Sequence, residues 1–173
     1  MAKRFRFCSD SSTYFLTFVV WKRIPIFELE SCARAVIDTL AFYIEKRSFD
    51  LHGYVIMPDH IHLVLTTVDG RKPGQVVGPV KSYISHVIGD FQFLRSYKPS
   101  SELFSPSGFR LWVPRFDEVT IRDDTMLLQC LEYIHSNPVK SGLVTETSKY
   151  PYSSAYNYET GLFRPGDLPI KRI

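Results

Sequence analysis

The chain has 173 residues, 45% of them hydrophobic and 14% aromatic; this suits one well-buried core, is short for two ordinary domains, and excludes a disordered polymer. Its 21 basic and 18 acidic side chains leave a formal charge of +3, which permits a nucleic-acid partner without demanding one. The longest early apolar run, residues 14–21, is far below the ~20 residues of a membrane span and lacks a secretory cleavage site.

Cys8, Cys32 and Cys130 are scattered, odd in number and without a CxxC spacing. A reduced, cytoplasmic, soluble protein with no membrane partner is therefore expected. Short basic runs, Lys3-Arg4-Phe5-Arg6, Arg71-Lys72 and Lys171-Arg172, read as solvated surface.

Residues 13–21 are rich in β-branched and aromatic side chains and predict a first strand. After Pro25, apolar residues at helical spacing predict a helix over 28–47. Residues 49–57 predict a second strand, Pro58-Asp59 a tight turn, and 60–67 a third strand. A loop is expected over 69–78, with Pro79 opening a second helix that runs to about Leu94. Another loop fills 96–110. A fourth strand is expected over 111–119, with Pro114 marking an edge or bulge.

Asp123 or Asp124 caps a third helix, expected to end near Asn137 because Pro138 disfavours helix in the residue before it. Residues 143–173 read mostly as irregular wrapping. The whole chain is expected to form one domain, with its core over about 13–142. The order β-α-β-β-α-β plus a helix predicts an α+β, ferredoxin-like fold. Its four-stranded antiparallel sheet has strands one and three central and two crossover helices on one face. The added C-terminal helix carries Tyr133.

That topology bears on chemistry. Residues two apart on a strand share a face. If Ile61, Leu63 and Leu65 enter the two-helix core, His60, His62 and Val64 must face the other way. There the two imidazoles can converge on one metal ion without filling core volume. Only the third helix is left to cover that face, through Leu127, Leu128, Leu131 and Ile134. Tyr133 and Asn137, four apart, lie on one side of it. Two imidazoles and an amide oxygen with open positions suit Mn²⁺ well, and Mg²⁺ with help from substrate oxygens. A phenol beside them can attack a phosphate. Each feature alone also has a structural reading: an HxH pair in a strand, a packed tyrosine, an asparagine ending a helix.

The strings Met57-Pro58-Asp59-His60-Ile61-His62 and Tyr133-Ile134-His135-Ser136-Asn137-Pro138-Val139-Lys140 resemble the single-tyrosine HUH transposases, most nearly their REP-associated branch. The resemblance spans roughly residues 13–156. It implies a metal-dependent endonuclease and strand transferase for single-stranded or hairpin DNA, working through a 5′-phosphotyrosine. By that resemblance Tyr133 is the nucleophile and His60, His62 and Asn137 hold Mg²⁺ or Mn²⁺.

Lys140 resembles the basic residue that follows the family's tyrosine helix and is a candidate phosphate contact. Arg115 and Arg122 are weaker DNA-binding candidates, with pairing to Asp117, Glu118, Asp123 or Asp124 as the default. Insertion-sequence relatives place the tyrosine helix at the partner subunit's histidines; Asn137 favours a self-contained monomer here, with a homodimer as the alternative. His52 is expected to be satisfied in the fold, His86 exposed, and His135 structural or DNA-facing. Asp59 reads as a turn residue that can also orient His60. Tyr150, Tyr152, Tyr156 and Tyr158 stack bases or, for at least half of them, pack in the core.

Two rival functions remain. A non-catalytic nucleic-acid-binding module would use the sheet as a base-stacking platform, but the strands lack its paired aromatic motif. A small metal hydrolase would want more acidic ligands.

Overall fold

The computed structural model describes residues 12–172; Cys8 and the Lys3-Arg4-Phe5-Arg6 run lie outside them. The β-branched and aromatic stretch that follows forms β1 (Thr13–Val19). It leads through two 3₁₀ turns into α1 (Glu30–Glu45). Next come β2 (Phe49–Met57), β3 (His60–Thr67) and α2 (Pro73–Gly89). A small hairpin, β4 (Phe104–Ser105) and β5 (Gly108–Phe109), precedes β6 (Asp117–Ile121) and α3 (Asp124–Lys140). The short α4 (Ala155–Thr160) follows.

β2, β3, β1 and β6 make one antiparallel sheet in that order, with β1 and β3 central. This is the expected split βαβ arrangement. Its two faces carry two separate apolar clusters. Ile61, Leu63 and Leu65 pack with Val36 and Leu40 of α1 and with Val80 and Ile84 of α2. Val64 and Val55 pack on the opposite side with Leu127, Leu131 and Ile134 of α3. Strand alternation therefore directs His60 and His62 to the α3 side.

Two local features bring α3 close. The β2–β3 register shifts between Leu51 and Gly53, so His52 forms a bulge and the alternation of β2 changes phase. Gly53 then faces α3. A Cβ there would lie 2.5 Å from Leu131 Cδ2 and 3.0 Å from Ile134 Cδ1. Only a residue without a side chain allows the helix to sit this near the sheet.

Four boundaries differ from the sequence reading. α2 starts at Pro73, not Pro79, because Gln75 Oε1 accepts the Lys72 N–H at 2.9 Å and closes the first turn. Gly78 and Pro79 lie inside that helix, which ends at Gly89. The fourth sheet strand is Asp117–Ile121. Residues 111–113 make only a bridge, Val20 to Trp112, and the chain leaves the sheet through Arg115 at a φ of 69° before re-entering.

α3 does not stop at Asn137 but continues through Pro138 to Lys140. Proline costs one bond, its missing N–H to the carbonyl four residues back, and its buried ring remains in the helix. Finally, Leu128, expected on the apolar side, is 63% exposed. At the N-terminus, Asp123 caps α3 as expected, accepting the Met126 N–H at 2.8 Å.

The C-terminal stretch contains α4 and follows the free edge of β2. Ile56 N–H donates to Tyr152 O at 2.9 Å, Ser154 N–H to Tyr54 O at 3.1 Å, and Lys171 N–H to Leu51 O at 2.7 Å. Covering an edge in this way removes a strand that would otherwise invite pairing. Tyr150 and Tyr158 are held in the fold, their hydroxyls donating to Ile56 O and His52 O at 2.8 and 2.9 Å. No helix among the described residues is long and apolar enough to cross a membrane.

Candidate active site

The two-residue turn between β2 and β3 is fixed from outside the hairpin. Val20 N–H donates to Asp59 O at 2.8 Å and Phe27 N–H to Pro58 O at 3.0 Å. Asp59 is thereby held beside the first histidine, with Oδ1 2.5 Å from His60 Nδ1. Its other oxygen accepts from Arg23 Nη1 at 3.1 Å. Burial alone would raise the Asp59 carboxyl. Hydrogen bonds and charge from His60 and Arg23 outweigh it and hold the group below its ordinary range.

His62 sits opposite Thr17 of β1, whose Oγ1 is 2.8 Å from His62 Nδ1. Both imidazoles thus have Nδ1 engaged, and neither Nε2 has a hydrogen-bond partner among the described residues. The rings meet edge to face, centroids 4.8 Å apart. His62 also stacks on Phe15 at 5.2 Å. It is only 5% exposed, which corrects the expectation that it fills no core volume. Burial, followed by the charges of His60 and Arg23 and opposed by Asp59, pushes its basicity down to about 3. Above that pH its imidazole is neutral, the form that binds a metal.

α3 supplies the other half. The Tyr133 ring lies 5.5 Å from that of His62, at 71°, and 5.9 Å from Phe15. Tyr133 is nonetheless 46% exposed, so the residue is open to solvent on one side. One turn on, Asn137 has a buried Nδ2 without a partner. Because α3 continues through Pro138, Lys140 falls on the stripe of Tyr133 and Asn137, and its Nζ stands 5.7 Å from the Tyr133 ring.

This donor set fits a divalent ion. Two imidazoles present unshared Nε2 atoms, and the orphaned Asn137 amide, turned over, offers an oxygen in a buried place. Among the described residues no group of three or more His, Cys, Asp or Glu could hold a metal. An ion bound here would complete its shell with the amide and with water or substrate oxygens.

Other candidates lie apart from this cluster. Arg115 and Arg122 are exposed and make no ion pair among the described residues, so the default pairing with nearby carboxylates is not formed. His135 is structural: its Nε2 is 2.8 Å from Ser154 Oγ and its ring packs on Tyr158. His52 is satisfied by Lys171 O and Thr66 Oγ1 at 2.8 and 2.7 Å. His86 is exposed beside Asp90. Sequence reasoning passed over Thr17, Phe15 and Arg23. Strand pairing was the signal for the first two, since Thr17 directly faces His62 across the expected β1–β3 ladder.

Residues 8–137 match the family described as transposase IS200-like. A provisionally named REP-associated tyrosine transposase of Haemophilus influenzae is 32% identical over 111 residues, 64% of this chain and 61% of that protein. The REP-associated tyrosine transposase of Escherichia coli K12 is 27% identical over 110 residues, 62% of this chain and 55% of that one. The chain thus spans under two thirds of the length of both curated relatives.

Among solved structures, a REP-associated tyrosine transposase bound to a REP hairpin superposes with a TM-score of 0.66. It is 22% identical and covers 98% of this chain and 92% of that one, a likeness of fold. With three quarters of its length inside the family match, the chain belongs to the IS200-like transposases.

Proposed function

We propose that the chain nicks and joins single-stranded DNA at the flank of a hairpin, with Tyr133 as the covalent nucleophile. The observation that carries this reading is the meeting of Tyr133 with His62 at 5.5 Å within one chain. The half-exposed phenol adjoins His62, whose ring meets that of His60 at 4.8 Å, and the Nδ1 atoms of both histidines are already engaged.

A divalent ion held by His60, His62 and Asn137, Mg²⁺ or Mn²⁺, would draw charge from the phosphate oxygens. Asp59, as an acceptor, sets the tautomer and orientation of His60, and Thr17 holds the His62 ring in place. Tyr133 Oη forms a bond to phosphorus as the bond from phosphorus to O3′ breaks. The electron pair leaves on O3′, which takes up a proton, while the phenol proton goes to solvent. The product is a 5′-phosphotyrosine and a free 3′-hydroxyl. Because the phosphodiester energy is kept in the new ester, a 3′-hydroxyl can later reverse the step without a nucleotide cofactor. Lys140 partly neutralises the backbone beside the tyrosine.

Hairpin DNA as the substrate rests on the hairpin bound by the structural neighbour and on the names of the curated relatives. The base-stacking module is disfavoured because α1 and α2 cover one sheet face and α3 packs on the other. The test uses a labelled DNA hairpin with single-stranded flanks. Expected is a protein–DNA adduct that survives denaturation, formed with Mn²⁺ and abolished by EDTA. Nicking without an adduct would mean hydrolysis by water, and binding alone would mean a non-catalytic module.

A further inference from the structure

A cavity of about 320 Å³ opens directly beside the tyrosine. Its floor is Phe15 of β1, and its wall is Met126, Gln129, Cys130 and Tyr133 of α3. Met126, Cys130 and Tyr133, four and three apart, form one stripe of the helix, and Gln129, three from Met126 and four from Tyr133, lies beside it. On the sheet side, Val119 of β6 pairs across from Phe15 and is 44% exposed, extending the apolar floor towards the open edge of the sheet. The lining is apolar and aromatic except for the Gln129 amide. Burial raises the Cys130 thiol above its ordinary value, so it behaves here as a small apolar group.

We propose that this cavity holds one unstacked nucleobase, from the nucleotide next to the phosphate that Tyr133 attacks, with Gln129 reading its edge. The inference rests on the reading of Tyr133 as the nucleophile. The occupant follows from where the cavity lies. Tyr133 is both its wall and the attacking group, so whatever fills it belongs to the molecule whose phosphate is at Tyr133. One sugar away from that phosphate, a DNA strand carries a flat apolar ring with hydrogen-bonding edges. An aromatic floor with a single amide matches such a ring. Drawing the base into the cavity would also turn the backbone outward and expose the phosphate to Tyr133 Oη.

The probe is a DNA hairpin whose single-stranded flanks are randomised, followed by abasic substitution of each flank position in the best-bound sequence. With the parent protein, one position next to the cut phosphate should show base enrichment, and its abasic version should bind about tenfold more weakly. Gln129→Ala should flatten the preference among the four bases there while leaving affinity for the abasic strand unchanged. Gln129 is exposed on the helix, so this change does not threaten the fold. Gln129→Trp, which closes the mouth, should lower affinity for the intact strand to that of the abasic one. A flat abasic scan, or a sensitive position remote from the cut, overturns the pocket even if adducts form. Absence of any adduct instead sinks Tyr133 as nucleophile and the pocket with it, an outcome distinct from adducts that form with a flat scan.

Discussion

Thr17 Oγ1 lies 2.8 Å from His62 Nδ1 across the β1–β3 pair, and Asp59 Oδ1 lies 2.5 Å from His60 Nδ1. Two unrelated elements thus engage the same ring nitrogen, Nδ1, on two neighbouring imidazoles. Thr17→Val keeps the shape of its side chain and removes that hydrogen bond; Asp59→Asn weakens the other. Each change should lower Mn²⁺ affinity about 10–100-fold, read by calorimetry, with little loss of thermal stability. Unchanged Mn²⁺ affinity in both variants would mean that these contacts do not orient metal ligands.

Gly53 sets how closely α3 approaches the sheet. In Gly53→Ala the new methyl would meet Leu131 and Ile134 side chains that are themselves buried. The helix must shift or the core must strain, at a cost of about 1–3 kcal/mol. Because His60 and His62 are on β3 and Tyr133 is on α3, adduct formation should fall by more than stability does. Full cutting rates in a destabilised Gly53→Ala protein would show that helix position is not critical.

The acid limb of stability gives an independent check on burial. His135 is pushed down to about 4 by burial, against a raising influence from Glu159. The unfolded chain, at an ordinary histidine value near 6.5, therefore binds more protons below that pH than the folded one. The His135 contribution is fully present above pH ~6.5 and is lost as pH falls towards 4, by at most ~1.4 kcal/mol per pH unit. Urea midpoints should drop over that window. His135→Gln, which still reaches Ser154 but does not titrate, should flatten part of the drop. An identical pH slope in the variant would contradict the assignment.

Much of this was readable in the chain. The alternation of Ile61, Leu63 and Leu65 against His60, His62 and Val64 fixed which side of the sheet each would face. The four-residue step from Tyr133 to Asn137 fixed their common helix face. Less readable were features that depend on contacts distant in sequence. A glycine within a strand does not announce that Leu131 will lie against it. Nor does His52 announce a bulge, which arises because its ring nitrogens find Thr66 and the backbone of Lys171. Proline misled twice, at Pro79 and Pro138, because local preference was overridden by packing of the surrounding helix. The second case had a consequence for the site, since helix beyond Pro138 is what puts Lys140 on the tyrosine's face.

Tyr133 and His62 belong to one chain, so the site should work without a second subunit. Mixing Tyr133→Phe with a His60→Ala, His62→Ala double variant should then restore no cutting, since neither chain holds a complete site. Recovery of adduct in the mixture would mean that each tyrosine serves the partner subunit's histidines.

The most direct test of the central claim is Tyr133→Phe, assayed for both hairpin binding and covalent capture. The substitution deletes one oxygen and keeps the ring against His62 and Phe15, so the fold and DNA affinity should change little. Adduct and nick should both disappear in Mn²⁺, while the parent forms both. A phenylalanine variant that still cuts, leaving ends made by water, would contradict Tyr133 as the attacking group.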